Sequence, residues 1–317
     1  MLTVVGNTTI DIFVRGVTRL PERAEDEFSN ANFVMTNDRV VPTLGGNGAN
    51  SAYVSASLGE IVRLWSALGA DPFGDMILGW LHGRNVDTTS VRIMPDAGTS
   101  TTIVITDEQL RRHTYHYLGA SGLFEPRARV IGGGGEDWLL VTGYTLIPRW
   151  RGEHARELLR VARGRGINTA LDFGPFVGQP VTASELAGML NWVGVLLCNK
   201  FELEQASGLS MEEGALWALD QGVEVVVVKM SARGSKVFDD SNRQGILVPG
   251  FEVEALGTVG AGDSFNSGFL YARNKGMSLE DSARFGNATA AMVVSSQRGV
   301  LDAPNEQAVR EFLARRA

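Results

Sequence analysis

The sequence contains one cysteine in 317 residues, Cys198, so it cannot form a disulfide within the chain. Cys198 ends the apolar run 193–197, where a buried, reduced thiol is the ordinary interpretation. No apolar run approaches the roughly 20 residues that a membrane-spanning helix needs, and no basic segment precedes the short N-terminal apolar stretch. We therefore expect a soluble, unprocessed protein of the cytoplasm that has no membrane partner.

Positive charge is also scarce. The chain has 29 Lys and Arg residues against 36 Asp and Glu residues, a formal net charge of −7, and its basic residues form no long block. Nucleic-acid-binding surfaces need concentrated positive charge, so we expect no nucleic-acid partner. Hydrophobic residues at 44% and charged residues at 21% are typical of a folded globular chain. Because no internal repeat or linker is visible, residues 1–317 are predicted to form a single domain.

Several familiar catalytic motifs are missing. There is no G-x-x-x-x-G-K-[ST], H-R-D or G-x-S-x-G stretch, which argues against P-loop enzymes, protein kinases and serine hydrolases. No strand near the N-terminus is followed at once by G-x-G-x-x-G, which weakens a dinucleotide oxidoreductase. The four histidines are scattered at positions 82, 113, 116 and 154, and one cysteine cannot complete a zinc site, so no metal cage is predicted.

What is present is an alternation of apolar strands and helices. Predicted strands cover about residues 2–5, 62–67, 138–142, 169–172, 192–197 and 223–229, and predicted helices about residues 49–58, 73–81, 151–163, 184–190 and 212–220. Strands rich in Val, Ile and Leu that alternate with helices predict a mostly parallel sheet covered on both faces. Residues 234–239 and 243–248 predict a hairpin at the end of this series.

Two segments interrupt the alternation. Residues 101–106 and 113–117 alternate as strands do, within a region from about 91 to 118 that lacks helical periodicity. Residues from about 12 to 43 are polar and irregular. We predict that the two segments form a small β-sheet outside the main fold, a candidate lid. Arg111 and Arg112 on this lid could bind a phosphorylated acceptor, or could be ordinary exposed strand residues.

The segment 256–269, LGTVGAGDSFNSGF, contains a candidate catalytic corner. Gly260, Ala261 and Gly262 leave backbone N–H groups bare directly before Asp263, where a helix is predicted to begin. Such a corner binds anions, and a carboxylate beside a phosphate site is a candidate general base. Taken alone, the same residues fit a glycine turn with Asp263 as an ordinary N-cap equally well.

Three further stretches place polar groups where open α/β sheets bind ligands. Asp11 follows the first strand, although a turn aspartate is an equally common interpretation. The stretch LGGNGAN forms a second glycine turn at a helix start, where the amides of Asn47 and Asn50 could bind hydroxyl groups. Asn199 and Glu202 follow another strand; their oxygens suit Mg²⁺ held through water, but their spacing also fits a capping box.

In this order, the stretches resemble the PfkB, or ribokinase-like, family of carbohydrate and nucleoside kinases over nearly the whole chain. The matching residues are Gly45 to Asn50, Gly69 to Asp75, Asn199 with Glu202, Gly260 to Asp263 with Phe265, Gly268 and Phe269, and the segment from Asn287 to Gly299. The resemblance implies a three-layer α/β/α fold with a mostly parallel central sheet and a β-sheet lid. It also implies a phosphotransferase that uses ATP and Mg²⁺ on an alcohol group.

The resemblance further implies a role for each matching residue. The implied roles are general base for Asp263, anion hole for Gly260, Ala261 and Gly262, substrate binding for Asp11, Gly46 and Asn50, nucleotide binding for Asn199, Lys229, Ser231, Gly234 and Asn287, and Mg²⁺ binding through water for Glu202. The lid would close over the substrate and exclude water. Lid sheets of the family often pair into dimers, so a homodimer through the lid is one option.

The sequence departs from the family pattern in three places. The second signature usually begins with Asp-Thr, where this chain has Gly257 and Thr258; the missing carboxylate often helps to bind a monovalent cation, so potassium activation is not favoured. The phosphate-side segment often reads T-x-G-x-x-G, where this chain has Lys229 and Ser231. Ribokinases proper carry a carboxylate near the position of residues 142–144, so ribose is not favoured as the acceptor.

The leading hypothesis is a kinase that transfers the γ-phosphoryl group of ATP to a hydroxymethyl group of a small sugar or nucleoside. The alternative is a non-catalytic sugar or nucleotide sensor on the same fold, motivated by Gly257 and the altered segment 229–234. The sequence does not identify the acceptor, but it favours an unphosphorylated one.

Overall fold

The computed structural model of the chain describes residues 1–17, 35, 36, 38–107, 112–126, 137–175 and 181–316, apart from the side chain of residue 112. Arg111 and the side chain of Arg112, considered above for a phosphorylated acceptor, therefore lie outside the described residues.

The described residues contain thirteen strands and nine α-helices. The strands are β1 (Leu2–Val5), β2 (Thr9–Val17), β3 (Val41–Gly45), β4 (Val62–Gly69), β5 (Val91–Met94), β6 (Thr101–Asp107), β7 (Arg112–Tyr117), β8 (Trp138–Val141), β9 (Asn168–Asp172), β10 (Val195–Asn199), β11 (Val225–Lys229), β12 (Ser235–Asp239) and β13 (Asn242–Val248). The helices are α1 (Asn47–Ser57), α2 (Pro72–His82), α3 (Glu153–Gly164), α4 (Ala183–Ala187), α5 (Lys200–Ser207), α6 (Met211–Asp220), α7 (Ala261–Asn274), α8 (Leu279–Val294) and α9 (Glu306–Ala314). Among them, no helix has both the length and the apolar character needed to cross a membrane.

The large sheet has nine strands in the order β13-β12-β11-β10-β9-β8-β1-β4-β5. Its strands are parallel from β11 to β5, and the predicted hairpin β12-β13 adds two antiparallel strands at one edge. The mostly parallel sheet predicted from the sequence is confirmed. Because parallel strands share one direction, the residues that follow them gather at a single edge of the sheet.

The small sheet has four strands in the order β3-β2-β6-β7. It contains the predicted lid strands, but the predicted boundary at about residue 91 is wrong. Strand β5 pairs in parallel with β4 at the edge of the large sheet, so the second lid segment begins at Thr101. Strand β5 is short and follows α2, and its lack of helical periodicity alone could not distinguish an edge strand of the main sheet from a lid strand.

Side chains of the large sheet alternate between two buried clusters. On β4, Leu64 and Leu68 belong to one cluster, whereas Trp65 and Ala67 belong to the other. Helices α1, α2, α7, α8 and α9 complete the first cluster, and α3, α4, α5 and α6 complete the second. The period of two along a strand produces this division, so helices cover both faces. The predicted three-layer α/β/α fold is confirmed.

Two glycines let the end of β1 approach the start of α1. A Cβ atom on Gly48 would lie 2.7 Å from the carbonyl carbon of Gly6, and a Cβ atom on Gly6 would lie 2.7 Å from the Cα of Gly48. A larger residue at either position would force the backbones apart. The close approach brings the first turn of α1 to the carboxyl edge of the large sheet.

Replacing Gly48 by alanine should therefore destabilise the protein. We expect Gly48→Ala to lower the free energy of unfolding by about 1–3 kcal/mol, because the added methyl group overlaps the backbone of Gly6. Urea denaturation followed by circular dichroism measures the change. Gly79→Ala is the control, since its Cβ would meet no atom within 4 Å in the middle of α2 and should stabilise by about 0.5–1 kcal/mol. Equal stability of the two variants would contradict the close contact.

Candidate active site

Helix α7 begins at a glycine with a left-handed backbone. Gly260 is the N-cap, with φ 78° and ψ 2°, and a Cβ atom there would collide with the side chain of Val300. The helix therefore starts at Ala261, and the prediction that it starts at Asp263 is wrong by two residues. Asp263 occupies the third helical position rather than the N-cap.

The first turn of α7 offers backbone N–H groups to an anion. The first helical hydrogen bond runs from the N–H of Ser264 to the carbonyl oxygen of Gly260 at 2.9 Å. The N–H of Ala261 donates to the carbonyl oxygen of Thr258 at 3.3 Å. The N–H groups of Gly262 and Asp263 precede the first helical bond and have no acceptor within the helix, so they can bind an anion there.

Both oxygens of the Asp263 carboxylate accept hydrogen bonds from α1. The amide of Asn47 donates to Oδ1 at 2.8 Å, and the amide of Asn50 donates to Oδ2 at 2.9 Å. The side chain of Asp263 is buried, and burial raises its pKa to about 6; the nearby charge of Asp172 adds to this effect, and the two amides oppose it. The carboxylate is thus held in one orientation with a pKa near neutrality.

A buried ion pair lies beside this carboxylate. Lys229 ends β11, and its Nζ lies 2.7 Å from Oδ1 of Asp172, which ends β9. The same Nζ donates to Oδ1 of Asn266 on α7 at 3.1 Å, and Thr142 donates to the other oxygen of Asp172 at 2.9 Å. Burial would lower the pKa of the Lys229 ammonium, but the charges of Asp172 and Glu202 outweigh it and raise that pKa. Lys229 is therefore a permanent positive charge in the site.

Asn199 and Glu202 form the capping box that the sequence left open as one interpretation. The N–H of Asn199 donates to Oε2 of Glu202 at 2.8 Å, and the N–H of Glu202 donates to Oδ1 of Asn199 at 2.8 Å. Burial raises the pKa of Glu202, and the charge of Lys229 opposes that shift. Both residues also line the larger of the two cavities described next, so the cap does not remove them from the site.

A cavity of about 290 Å³ lies between the small sheet, α1 and α7. Nine of its fourteen lining residues have polar side chains. The lining residues are Asn7, Thr9, Asp11, Gly46, Asn47, Asn50, Thr102, Thr114, His116, Leu146, Pro175, Val259, Gly260 and Asp263. All three predicted substrate residues, Asp11, Gly46 and Asn50, are therefore brought together here.

A second cavity of about 800 Å³ lies on the other side of the α7 N-terminus. One end is polar and contains Asp172, Asn199, Glu202 and Lys229, together with Ser231 and Gly234. The other end is mainly apolar and contains Phe251, Val253, Ala290, Ala291 and Val294, beside Asn287. All five predicted nucleotide residues, Glu202, and the predicted anion hole line this cavity. The two cavities share Asn47, Gly260 and Asp263.

The residues of this site that sequence reasoning missed include Asp172, Asn266, Thr102 and His116. Asp172 stands at the carboxyl end of a parallel strand, the same signal that singled out Asp11, and could have been found. Thr102 and His116 alternate along the lid strands with residues on the opposite face. The sequence shows this alternation, but only the pairing register of the strands shows which face lines the cavity. Among the described residues, no group of three or more His, Cys, Asp or Glu side chains is arranged to hold a metal.

Two cavities that meet at one buried carboxylate beside a helix N-terminus suit phosphoryl transfer between two bound molecules. Comparison with known proteins agrees with this class of enzyme. The chain belongs to the pfkB family of carbohydrate kinases, whose sequence model matches residues 5–306.

Similar proteins cover almost the full length. A nucleoside kinase of Methanothermobacter thermautotrophicus is 29% identical, with 99% of this chain and 96% of that protein covered. A ribokinase of Haemophilus influenzae is 26% identical, with 90% and 92% covered. The structure of Arabidopsis thaliana ribokinase complexed with ribose and ATP superimposes with a TM-score of 0.82 at 23% identity, covering 98% of each chain, and so confirms the ribokinase-like fold.

Breaking the buried ion pair should destabilise the protein more than removing both partners. We expect Asp172→Asn to lower the free energy of unfolding by about 3 kcal/mol, because it removes the carboxylate that is in direct contact with the buried Lys229 ammonium. Lys229→Met in the Asp172→Asn background should recover most of that loss. Urea denaturation of the two single variants and the double variant measures the coupling. Additive losses in the double variant would show that the pair is not coupled.

Proposed function

We propose that the protein transfers the γ-phosphoryl group of ATP to a hydroxymethyl group of a small sugar or nucleoside, with Asp263 as the general base. The observation that carries the proposal is the position of Asp263 at the junction of the two cavities. An acceptor in the smaller cavity and a nucleotide in the larger one would both reach this residue.

The acceptor would bind in the smaller cavity through Asp11, Gly46 and Asn50. Asp263 would take the proton of the acceptor hydroxyl as its oxygen forms a bond to the γ-phosphorus, while the bond from that phosphorus to the β–γ bridging oxygen breaks and ADP leaves. Hydrogen bonds from Asn47 and Asn50 support this role, because they hold the carboxylate in place. On acceptor binding, the hydroxyl would share or replace one of these amides.

The N-terminus of α7 would stabilise charge on the transferring group. The N–H groups of Gly260, Ala261 and Gly262 are the proposed anion hole, to which the N–H of Asp263 can be added because it also lacks a helical acceptor. The N–H of Ala261 would have to exchange its long bond to Thr258 for the phosphoryl oxygen. Lys229 would add positive charge on the nucleotide side of the same turn.

ATP would occupy the larger cavity. Its apolar end, including Phe251 and Val294, suits a nucleobase beside Asn287, whereas the polar end with Asn199, Ser231 and Gly234 suits ribose and phosphates. The amide of Asn287 donates to the carbonyl oxygens of residues 248 and 249, both at 3.1 Å, and so fixes the loop beside the base.

Glu202 and Asn199 fit Mg²⁺ held through water. Their side chains present oxygen atoms, the ligand type that Mg²⁺ prefers, at the polar end of the larger cavity. Bound there, Mg²⁺ would neutralise charge on the nucleotide phosphates. Gly257 stands where related kinases carry a carboxylate, so no potassium site is part of the proposal.

The small sheet would close over the acceptor and exclude water.

The opposite face of the small sheet exposes Ile103 and Tyr115, which are neighbours across β6 and β7 and are 36% and 56% exposed. This apolar pair supports a homodimer through the lid. A monomer in light scattering at micromolar concentration would contradict the dimer without affecting the proposed reaction.

Removing the proposed base should abolish turnover and spare binding. We expect Asp263→Asn to lower kcat by about 10²–10⁴-fold, because the amide cannot accept the proton, while ATP binding measured by calorimetry persists. Turnover is measured as ADP release over a panel of sugars and nucleosides. Asp240→Asn, in the exposed hairpin turn between β12 and β13, is the matched control. Near-normal turnover of Asp263→Asn would reject the assignment, and ligand binding without any turnover in the wild type would favour a sensor.

The reaction should depend on pH through Asp263. Its pKa is raised to about 6, so the carboxylate is protonated below that pH and cannot act as a base. We expect kcat/KM to fall about tenfold per pH unit below pH 6, since kcat/KM reports ionisation in the free enzyme. Asn47→Leu removes a hydrogen-bond donor that lowers the pKa of Asp263, so kcat/KM should begin to fall at a higher pH in this variant. A fall that begins only near pH 4, and at the same pH in Asn47→Leu, would contradict the assignment.

A further inference from the structure

Three side chains form a row across the inner face of the small sheet. Asp11 on β2 pairs in register with Thr102 on β6, and Thr102 pairs in register with His116 on β7. Paired residues on neighbouring strands point to the same face, with strands about 4.8 Å apart. All three line the smaller cavity, so they form the wall opposite to α1 and α7.

Hydrogen bonds along this row involve one nitrogen of His116. The hydroxyl of Thr102 lies 3.1 Å from Nδ1 of His116, and the hydroxyl of Thr9 donates to Oδ1 of Asp11 at 2.9 Å. Thr102 therefore occupies Nδ1, and Nε2 is the ring nitrogen that can form a hydrogen bond with a bound molecule.

The remaining wall chemistry limits what can bind there. Among the described residues, no Lys or Arg side chain lines the smaller cavity, so none of them is placed to neutralise a second phosphate there. Apart from the His116 imidazole, no aromatic ring is among these lining residues, and their apolar side chains are those of Leu146, Pro175 and Val259. A nucleobase presents a flat face that stacks best on large aromatic rings, and no Phe, Tyr or Trp ring lines the described part of this cavity.

We propose that His116 is a specificity-determining residue that forms a hydrogen bond through Nε2 with an acceptor hydroxyl, and that the acceptor is an unphosphorylated monosaccharide or polyol. This inference rests on the proposed function, with the acceptor in the smaller cavity and Asp263 as the base. Asp11 would accept a hydrogen bond from a further hydroxyl. Asp11 and His116 would thus bind two hydroxyl groups on a part of the acceptor that does not react.

A contact to a part that does not react should act on binding alone. It has equal strength in the ground state and the transition state, so its loss raises KM and leaves kcat nearly unchanged. We expect His116→Ala to raise the acceptor KM by about twofold to tenfold, the range for one uncharged hydrogen bond. His116→Gln, whose amide group can reach the place of Nε2 and can donate or accept, should restore most of the affinity.

The test is ADP release from ATP over monosaccharides, polyols, nucleosides and sugar phosphates, with the wild type, His116→Ala and His116→Gln. His113→Ala is the matched control, because His113 lies on the same strand and, three residues away, on the opposite face of the sheet. Monodeoxy analogues of the preferred acceptor locate the contact. With the wild type, one deoxy analogue should raise KM by the same factor as His116→Ala does with the full acceptor. With His116→Ala, that analogue should have the same KM as the full acceptor.

The outcomes separate the inference from the proposed function. Selective turnover of a monosaccharide or polyol, with a KM effect confined to His116→Ala, supports the inference. Turnover with an unchanged KM in His116→Ala, or preferred turnover of a nucleoside or a sugar phosphate, overturns it and leaves the kinase activity standing. No ADP release with any acceptor overturns the proposed function, and the inference fails with it.

Discussion

The two hydrogen bonds from α1 to the Asp263 carboxylate are the contact on which the site depends. They join residues 213 and 216 positions apart, and they fix the first turn of α1 against the first turn of α7. A carboxylate buried without donors would be strongly destabilising, so the two amides make its position tolerable. The same contact forms the boundary between the two cavities. The close approach of Gly6 and Gly48 makes this contact possible, because it brings the amides of α1 to the edge of the large sheet.

The charges around Asp263 explain its raised pKa. Asp172, Glu202 and Asp263 are buried carboxyl groups, and Lys229 is the cation at their centre. One ammonium cannot neutralise three carboxylates at short range, so burial and mutual repulsion favour protonation of Asp263 and Glu202. That excess of negative charge fits the proposed Mg²⁺ on the nucleotide side. It also gives Asp263 a pKa of about 6 at the position where the proposed reaction needs a proton acceptor.

The two sheets divide the site between them. The carboxyl edge of the large sheet supplies the polar end of the larger cavity, and the inner face of the small sheet supplies one wall of the smaller cavity. Asp263 belongs to α7 beside the large sheet, whereas Thr102 and His116 belong to the small sheet. A change on the inner face of the small sheet could therefore alter the smaller cavity and leave the position of Asp263 unchanged.

The sequence by itself determined the alternation of strands and helices, the second sheet and the two glycine turns, because these depend on neighbours a few residues apart. The family resemblance added the residue set that the structure brings to the two cavities, although its chemical roles remain proposals. Tertiary structure alone decided that α7 begins at Ala261, that β5 joins the large sheet, that Asp172 pairs with Lys229, and that Thr102 and His116 share a face with Asp11. Each of these depends on strand order, register or backbone turns between distant segments, and such contacts leave no trace in a local pattern.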